Sequence, residues 1–470
     1  MNSATSFLTR RNIALVIAVI GYLAPWFIEV PGLSEAGHRL LSIFLLAVIL
    51  WVSEAIPLFA TSSMVILLLV LTMSDASEDL LWGGAQGFTD GAAPGYAMYF
   101  ATLSSPVLIL FLGGFFLANG AAKFGLDKNL AALMLKPFGT KPSRVLLGLM
   151  LITGFLSMWM SNTATTATLM AVVLPLIRAL APEDRLRAGL ALGVPFAANI
   201  GGMGTPVGSP PNAISIAALG DAGSVTFSQW MIFAIPLATV LLILTWLVLL
   251  FCFRSNTKTL EFSMVQKWNK SGPAWIFYIT AIVTIGMWVT ESLHGINSFI
   301  IGLLPVTVLL STGVINTREF RSMEWDVLWL VAGGIALGRG VAVSGFDIWV
   351  VSLIEWQNIS PMYIGGMLAV AAIFLSTFIS NSAAANLLAP MAVAIATSTD
   401  SGTVATVAYV AMACSLAMAM PISTPPNAIA YASGAIRTPD MAKGGLLIGF
   451  IGIAVLYLLL PHLVRLAGLH

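Results

Sequence analysis

Long apolar segments separated by short polar ones dominate the pattern of this 470-residue chain. Eleven apolar runs are long enough to be single membrane crossings, because about 20 apolar residues span about 30 Å of hydrocarbon. They lie near residues 12–30, 38–55, 57–73, 97–122, 187–220, 228–253, 273–290, 297–314, 327–345, 403–435 and 444–463. The pattern therefore predicts an all-α polytopic membrane protein with about eleven transmembrane helices.

Two further apolar regions, 144–178 and 361–398, carry a polar group at their centres. The first contains Ser161-Asn162-Thr163 and the second contains Ser380-Asn381-Ser382. A polar break in the middle of an apolar run indicates two half-length helices that meet at a turn. Irregular backbone at membrane depth is tolerated only where it is buried in protein or lines a cavity. We therefore expect two re-entrant hairpins in addition to the crossing helices.

The composition requires lipid around this protein. Hydrophobic residues make up 58% of the chain and charged residues only 9%, against about 25% charged residues in soluble domains. The net charge of +1 gives no reason to expect nucleic acid or an acidic protein as a partner. Cys252 and Cys414 lie inside apolar runs, which indicates buried apolar residues and neither a disulfide nor a metal site.

Charge placement orients the helices. With the N-terminus in the cytoplasm and both hairpins re-entrant, all but three of the 21 Lys and Arg residues fall on the inner side. The exceptions are Arg39, Arg339 and Arg465. This distribution follows the positive-inside rule, so we predict a cytoplasmic N-terminus in a multi-pass protein of the plasma membrane, which is the inner membrane if the source is bacterial.

Three blocks recur in the same order, each about 215 to 220 residues further on. Gly113-Gly114 through Asp127 corresponds to Gly333-Gly334 through Asp347, and the two polar centres correspond to each other. Pro210-Pro211-Asn212 then corresponds to Pro425-Pro426-Asn427. The predicted topology opens the first hairpin to the cytoplasm and the second to the outside, so we predict an inverted repeat with a binding site at the midplane where the repeats meet.

The polar centres suit both a cation and an anion. Hydroxyls, an amide oxygen and free backbone carbonyls can bind a hard cation such as Na⁺, while the amide and hydroxyl hydrogens can donate to a carboxylate. The second half-helix of each hairpin begins at the polar centre, so its positive N-terminal end points there. Helix–helix hydrogen bonding is the alternative role for such residues.

The Pro-Pro-Asn segments are expected to break two of the long runs. Two successive prolines remove two backbone donors and cannot continue a helix. Carbonyls near Gly208 and Ser423 then become candidate cation ligands. The glycine pairs at 113–114 and 333–334 are expected to serve close packing.

We expect no Asp, Glu or His at mid-membrane depth near either polar centre, and a proton relay normally uses such groups. We therefore favour Na⁺ over H⁺ as the coupling ion. The same absence disfavours a membrane-embedded hydrolase with Ser209 or Ser161 as nucleophile, because a nucleophile needs a positioned base. A passive channel lined by the two hairpins is a further alternative, which saturable uptake would exclude.

Taken together, Ser53-Glu54-Ala55-Ile56-Pro57, the two polar centres and the two Pro-Pro-Asn breaks make the whole chain resemble the divalent anion/sodium symporter family. The resemblance implies a homodimer, an elevator-type movement of a transport domain against a scaffold, and one sodium site in each repeat. It implies a first sodium site of Ser157, Ser161, Asn162 and Gly208, and a second of Ser376, the Ile379 carbonyl, Asn381 and the Ser423 carbonyl. The substrate carboxylates would meet Asn162, Thr163, Ser209, Asn381, Ser382, Thr424 and Pro425.

The resemblance also implies a secondary active transporter and not an enzyme. We expect Na⁺-coupled symport of C4-dicarboxylates such as succinate, malate and fumarate. A citrate carrier, a sulfate carrier and a sodium-independent dicarboxylate exchanger are the alternatives on the same fold. Ser382 stands where dicarboxylate carriers of this family often have Thr, which leaves a slightly roomier pocket. The expected divisions are scaffold helices at 1–96, repeat 1 at 97–255, scaffold helices at 256–326 and repeat 2 at 327–470.

Overall fold

A computed structural model describes residues 10–77, 87–255, 257–260, 267–354, 356, 359–399 and 401–469. In these ranges all regular structure is helical, as predicted, and no strand occurs. Eight of the helices are long and apolar enough to cross a membrane, and four shorter apolar helices accompany them. The protein is therefore a multi-pass membrane protein.

The helices fall into an N-terminal group, two long series and a group between the series. The first group and the first series are α1 (Arg10–Phe27), α2 (Glu35–Ser53), α3 (Leu58–Thr72), α4 (Ala97–Phe100), α5 (Pro106–Phe124), α6 (Leu126–Leu135), α7 (Pro142–Ser157), α8 (Asn162–Ala179), α9 (Leu186–Gly202), α10 (Pro210–Leu219) and α11 (Phe227–Cys252). Between the series lie α12 (Gly272–Val289), α13 (Glu291–His294), α14 (Ser298–Ile301), α15 (Leu303–Ser311) and α16 (Thr317–Arg321). The second series is α17 (Trp325–Ser344), α18 (Phe346–Ser352), α19 (Pro361–Phe378), α20 (Asn381–Thr399), α21 (Thr403–Leu416), α22 (Pro425–Ala432) and α23 (Thr438–Leu466).

The two series, α5 to α11 and α17 to α23, have the same order of elements, which matches the repeat seen in the sequence. In both, the first long helix ends at a glycine in the left-handed region and a short helix follows at once. Gly125 has φ 65° and Gly345 has φ 67°, a conformation that glycine adopts without steric cost. The duplication therefore extends to the backbone of the turns.

All four predicted breaks are present. The polar centres separate α7 from α8 and α19 from α20, and the Pro-Pro-Asn segments begin α10 and α22. In each Pro-Pro-Asn segment the prolines occupy the start of a helix, where a missing N–H leaves no hydrogen bond unmade. Each apolar run at 187–220 and 403–435 is consequently two helices joined by an irregular loop.

The helices that follow the breaks pack across the two series. Helix α10 of the first series lies against α20 and α21 of the second, and α22 of the second lies against α8 and α9 of the first. Helix α11 packs along α23. These contacts between the two series place both polar centres within one packed group of helices.

Helices α5 and α17, the first long helices of the two series, pack against helices outside the series. Helix α17 packs against α2 and α3, while α5 packs against α14 and α15. The glycine pairs make these contacts close, as expected. A Cβ at Gly113 would lie 2.3 Å from the carbonyl oxygen of Gly302, and one at Gly333 would lie 2.3 Å from the Ser62 side chain.

Candidate functional site

The first polar centre lies in a pocket of backbone and side-chain oxygens. Ser157, at the end of α7, donates from Oγ to the carbonyl of Ala198 in α9 at 2.8 Å. The side-chain amide of Asn162, at the start of α8, meets the same group of atoms. Ser157, Ala198 and Asn162 are all buried, so their polar atoms depend on one another.

The amide of Asn162 can face this pocket in either of two orientations. With the nitrogen inward, it donates to the carbonyls of Ala198 at 3.0 Å and Gly208 at 3.1 Å. With the oxygen inward, Oδ1 lies 2.5 Å from Ser157 Oγ and faces the same two carbonyl oxygens, so the nitrogen-inward orientation is the one that satisfies the amide by hydrogen bonds. A turn of one side chain therefore gathers two carbonyls, a hydroxyl and an amide oxygen, a donor set of the kind that binds Na⁺ where helices are interrupted.

Two glycines make this pocket possible. A Cβ at Gly202 would lie 2.3 Å from Asn162 Oδ1, and a Cβ at Gly208 would lie 2.5 Å from the Gly202 carbonyl oxygen. Both separations are far shorter than a carbon–oxygen contact allows. Close approach of backbone to the site thus requires glycine at both positions.

Asn212 holds the loop between α9 and α10 in place. Its Nδ2 donates to the carbonyls of Gly202 at 2.9 Å and Thr205 at 2.8 Å. In the second series, Asn427 donates to the carbonyls of Met418 at 3.3 Å and Met420 at 3.0 Å. The asparagine of each Pro-Pro-Asn segment is therefore a brace for the preceding loop, a role that sequence reasoning did not assign.

Ser161 differs from the other members expected in the first sodium site. Its Oγ accepts from the Ala164 N–H as the N-cap of α8 and donates to Oε1 of Glu324 at 2.8 Å. Thr163 follows on the first turn of α8 and is half-buried. The hydroxyl of Ser161 thus connects the start of α8 to a carboxylate.

The expectation that no acidic side chain lies near either polar centre was wrong. Glu324 comes from the loop before α17, more than 160 residues away in the chain, and the packing of the helices brings it to Ser161. Sequence reasoning missed it because it considered only the acids close to each motif along the chain. Glu324 stands outside the apolar run that begins near residue 327.

The second polar centre has a different set of contacts. Ser376 donates from Oγ to the carbonyl of Cys414 at 3.0 Å, which parallels the Ser157 contact. The Asn381 N–H donates to the Ser423 carbonyl at 3.3 Å, and Ser382 Oγ donates to Asn381 Oδ1 at 3.4 Å. Ile379, the C-cap residue of α19, is buried in an extended conformation.

The start of α22 connects the second centre to the first series. Thr424 Oγ1 accepts from the Asn427 N–H at 3.3 Å and from Asn199 Nδ2 at 3.1 Å. Asn199 lies in α9 and is fully buried, and sequence reasoning did not single it out. Ser209, which corresponds to Thr424, lies 3.5 Å from the Asn162 amide. Pro425 is exposed at the first position of α22.

The breaks place helix ends of both polarities side by side. Helices α7, α9, α19 and α21 have their C-terminal ends at the breaks, and α8, α10, α20 and α22 have their N-terminal ends there. Carbonyl ends carry partial negative charge and N–H ends partial positive charge. Such a site can hold cations at the carbonyl ends and an anion at the positive helix N-termini. No cluster of three His, Cys, Asp or Glu residues occurs in the part of the chain that the structure describes.

Comparison with known proteins gives one family and several relatives. A family model for the sodium:sulfate symporter transmembrane region matches residues 8–464. The sodium-dependent dicarboxylate transporter SdcS of Staphylococcus saprophyticus is 28% identical across 98% of this chain and 92% of its own length. An uncharacterized transporter of Haemophilus influenzae is 31% identical across 87% of this chain and 88% of its own length. The inorganic phosphate transporter PHO87 of Saccharomyces cerevisiae is 30% identical across 75% of this chain but 38% of its own length.

A solved structure shares the fold at low identity. The YdaH transporter of Alcanivorax borkumensis superposes with a TM-score of 0.57 at 13% identity, covering 87% of this chain and 98% of that one. Identity at this level speaks for the fold alone.

Proposed function

The chain belongs to the sodium:sulfate symporter family, also called the divalent anion/sodium symporters, and on that premise we propose that it carries C4-dicarboxylates with Na⁺ across the plasma membrane. Membership makes it a membrane transport protein and not an enzyme. Succinate, malate and fumarate are the proposed substrates. The name of the SdcS relative supports both the ion and the anion class.

The oxygen pocket around Asn162 is the observation that carries the proposal. Two carbonyls and a hydroxyl lie within 3.1 Å of one end of that amide. A side chain at position 202 or 208 would collide with the atoms of the pocket. We assign Ser157, Ser161, Asn162 and Gly208 to the first Na⁺ site. Ser376, the Ile379 carbonyl, Asn381 and the Ser423 carbonyl form the proposed second site.

The anion is proposed to lie at the four helix N-termini that begin at the breaks. Their partial positive charges suit a dianion, and no lysine or arginine is required. Bound Na⁺ at the neighbouring carbonyl ends offsets the remaining charge. The proposed anion ligands are Asn162, Thr163, Ser209, Asn381, Ser382, Thr424 and Pro425.

The packing supports an elevator-type movement. The cross-packed helices of the two series form one body that contains both polar centres, which we propose as the transport domain. Residues 1–96 and 256–326 would supply the scaffold and the surface of a homodimer, with repeats at 97–255 and 327–470. Eleven crossings, two re-entrant hairpins, inverted repeats and a cytoplasmic N-terminus complete this proposal.

Uptake into proteoliposomes tests the function. Radiolabelled succinate should enter vesicles that contain the purified protein when Na⁺ is higher outside, and should saturate with concentration. Each net positive charge that moves inward gains about 2.3 kcal/mol per 100 mV, so an inside-negative potential should accelerate uptake if more than two Na⁺ accompany each dianion. Equal uptake with choline in place of Na⁺ would reject the coupling.

A competition panel tests the substrate class. Unlabelled malate and fumarate should compete with succinate, while citrate, sulfate and phosphate should not. Phosphate belongs in the panel because of the PHO87 relative. Stronger competition by citrate, sulfate or phosphate than by malate would replace the dicarboxylate assignment.

Exchange is separated from symport by loading the vesicles. A sodium-independent exchanger takes up labelled succinate only when unlabelled dicarboxylate is inside, whatever the Na⁺ gradient. The proposed symporter accumulates succinate in vesicles that are empty at the start. Strict dependence on internal dicarboxylate would therefore favour the exchanger.

A further inference from the structure

The first polar centre, which forms the tip between α7 and α8, contacts a carboxylate from outside the two repeats. Ser161 Oγ donates to Glu324 Oε1 at 2.8 Å, and Glu324 is the residue immediately before α17. At that position an acidic side chain commonly caps its own helix, but Glu324 makes no such cap hydrogen bond. Its carboxylate is directed instead to the tip between α7 and α8.

The second tip lacks this arrangement. Ser380 corresponds to Ser161 and accepts from the Ala383 N–H in the same way, yet in the described residues its hydroxyl donates to no carboxylate. The residue that corresponds to Glu324 in the first series is Ser104. The carboxylate is therefore an addition to one tip and not a consequence of the duplicated backbone.

The charge of Glu324 is not paired with a cation in the chain as described. The three ion pairs found there join Arg39 to Glu35, Lys123 to Glu319 and Arg437 to Asp440. A hydroxyl that donates to a carboxylate has a more negative oxygen, because hydrogen bonds in a chain polarise one another. Ser161 Oγ accepts one N–H, which leaves a lone pair for a cation.

We propose that Glu324 is a positioning residue for the first cation site, and that it raises the affinity of this site for Na⁺ by orienting and polarising the hydroxyl of Ser161. The carboxylate itself lies one hydrogen bond beyond the cation. This inference rests on the proposed function, because it takes the first site to bind Na⁺.

Direct binding of Na⁺ to the purified protein tests the inference without transport. In an equilibrium binding assay with radiolabelled Na⁺ and no substrate, Glu324→Gln should weaken the affinity about tenfold. Asp326→Asn is the matched control, because Asp326 is exposed two residues further on and loses the same charge. The control should bind as the unaltered protein does, whereas an equal loss in both variants would contradict an action through Ser161.

Transport kinetics distinguish a role of Glu324 in positioning the cation ligand from a purely structural role, in which Glu324 only tethers the start of α17 to Ser161. Glu324→Gln should raise the Na⁺ concentration for half-maximal uptake about tenfold and leave the succinate KM at saturating Na⁺ unchanged. A tether would lower the maximal rate at every Na⁺ concentration. Glu324→Asp, which keeps the charge but moves it away from Ser161, should give an intermediate Na⁺ affinity and provides the test if the glutamine variant does not fold.

The outcomes distinguish this inference from the function on which it rests. If the unaltered protein neither binds Na⁺ nor needs it for uptake, the proposed function is wrong. If the unaltered protein binds Na⁺ and Glu324→Gln binds it equally well, the function stands and the role of Glu324 is refuted. The double variant Ser161→Ala/Glu324→Gln should bind no more weakly than Ser161→Ala, because both changes remove the same interaction.

Discussion

The two series of helices share a backbone plan and differ in the polar chemistry attached to it. Both break at corresponding positions and both brace the broken loop with the asparagine of Pro-Pro-Asn. Within the residues that the structure describes, only the first series gathers its tip asparagine with a serine and two carbonyls, and only its tip contacts a carboxylate. The shared backbone plan thus sets where the helices end, while the polar contacts at the breaks differ between the two series.

The largest expected difference between the series concerns the two tip asparagines. Asn162→Ala removes a buried amide from a pocket with three oxygen partners, and such a loss costs about 1–3 kcal/mol. We expect Na⁺-driven uptake to fall about 100-fold in this variant and about tenfold in Asn381→Ala. Among the described residues, the amide oxygen of Asn381 accepts only a weak hydrogen bond from Ser382. Initial rates in proteoliposomes, normalised to folded protein, measure both losses.

Equal losses of uptake in the two asparagine variants would contradict the expected difference between the two polar centres. They would indicate that both tips contribute alike once the ligands are bound. Retained activity in both variants would remove the site assignment altogether. Size-exclusion chromatography in detergent provides the folding control for each protein.

The second prediction exploits a difference in backbone approach. Gly202 corresponds to Ala417 and Gly208 to Ser423, so the first series needs glycine where the second carries a side chain. Gly202→Ala places a methyl group 2.3 Å from Asn162 Oδ1 and must displace the amide, and overpacking of this kind costs about 1–3 kcal/mol. We expect uptake to fall about 30-fold, which measurement of the initial rate will check.

The matched change in the second series is Ala417→Gly. It removes a methyl group and leaves no clash, so its uptake should stay within about twofold of the unaltered protein. A Gly202→Ala protein that transports normally would show that the pocket can relax, and would weaken the assignment of the first Na⁺ site to this group of atoms.

The sequence predicted the breaks but not the residues that other parts of the chain bring to them. Successive prolines at 210–211 and 425–426 forbid a continuous helix on local grounds, and a polar centre in an apolar run signals a tip. Glu324 and Asn199 carry no comparable local signal. Their importance comes from long-range packing that joins distant segments, which a single sequence does not display.

The third prediction concerns stability and compares the buried Asp127 with the half-buried Asp347. Asp127 is 1% exposed and accepts from Thr168 Oγ1 at 2.9 Å. The residue that corresponds to Thr168 in the second series is Leu387, and Oδ1 of Asp347 is a buried atom without a partner in the described residues. Asp127→Ala should therefore lower the free energy of unfolding by about 2 kcal/mol, whereas Asp347→Ala should change it by less than about 1 kcal/mol.

Thermal unfolding in detergent, followed by intrinsic fluorescence, compares these two variants. The aspartates occupy the same turn of the two series, so the size of the side chain removed is identical. A destabilisation of Asp347→Ala as large as that of Asp127→Ala would show that its carboxylate is satisfied in a way the contacts above do not include.

The smallest expected effect concerns a bridge that only the first series has. Lys123, near the end of α5, donates to Glu319 and to the Val314 carbonyl, whereas Val343 occupies the corresponding place in α17. Burial raises the pKa of Glu319, but the hydrogen bond from Lys123, the Asn316 N–H and the charge of Lys123 outweigh it and hold the pKa below 4.5. A lowered pKa means that the bridge stabilises the protein above about pH 4.5 and that this contribution is lost as the pH falls through the lowered value.

Lys123→Met should therefore destabilise the protein at pH 7 and have less effect at pH 3.5. Both partners are about a third exposed, so solvent screening limits the difference to less than about 1 kcal/mol. Lys128→Met is the control, because Lys128 is an exposed lysine at the start of α6, and its effect should not depend on pH. If the unfolding temperatures of Lys123→Met and the unaltered protein differ by the same amount at both pH values, the stabilisation comes from the Val314 contact, since that carbonyl does not titrate, and the electrostatic difference between the series disappears.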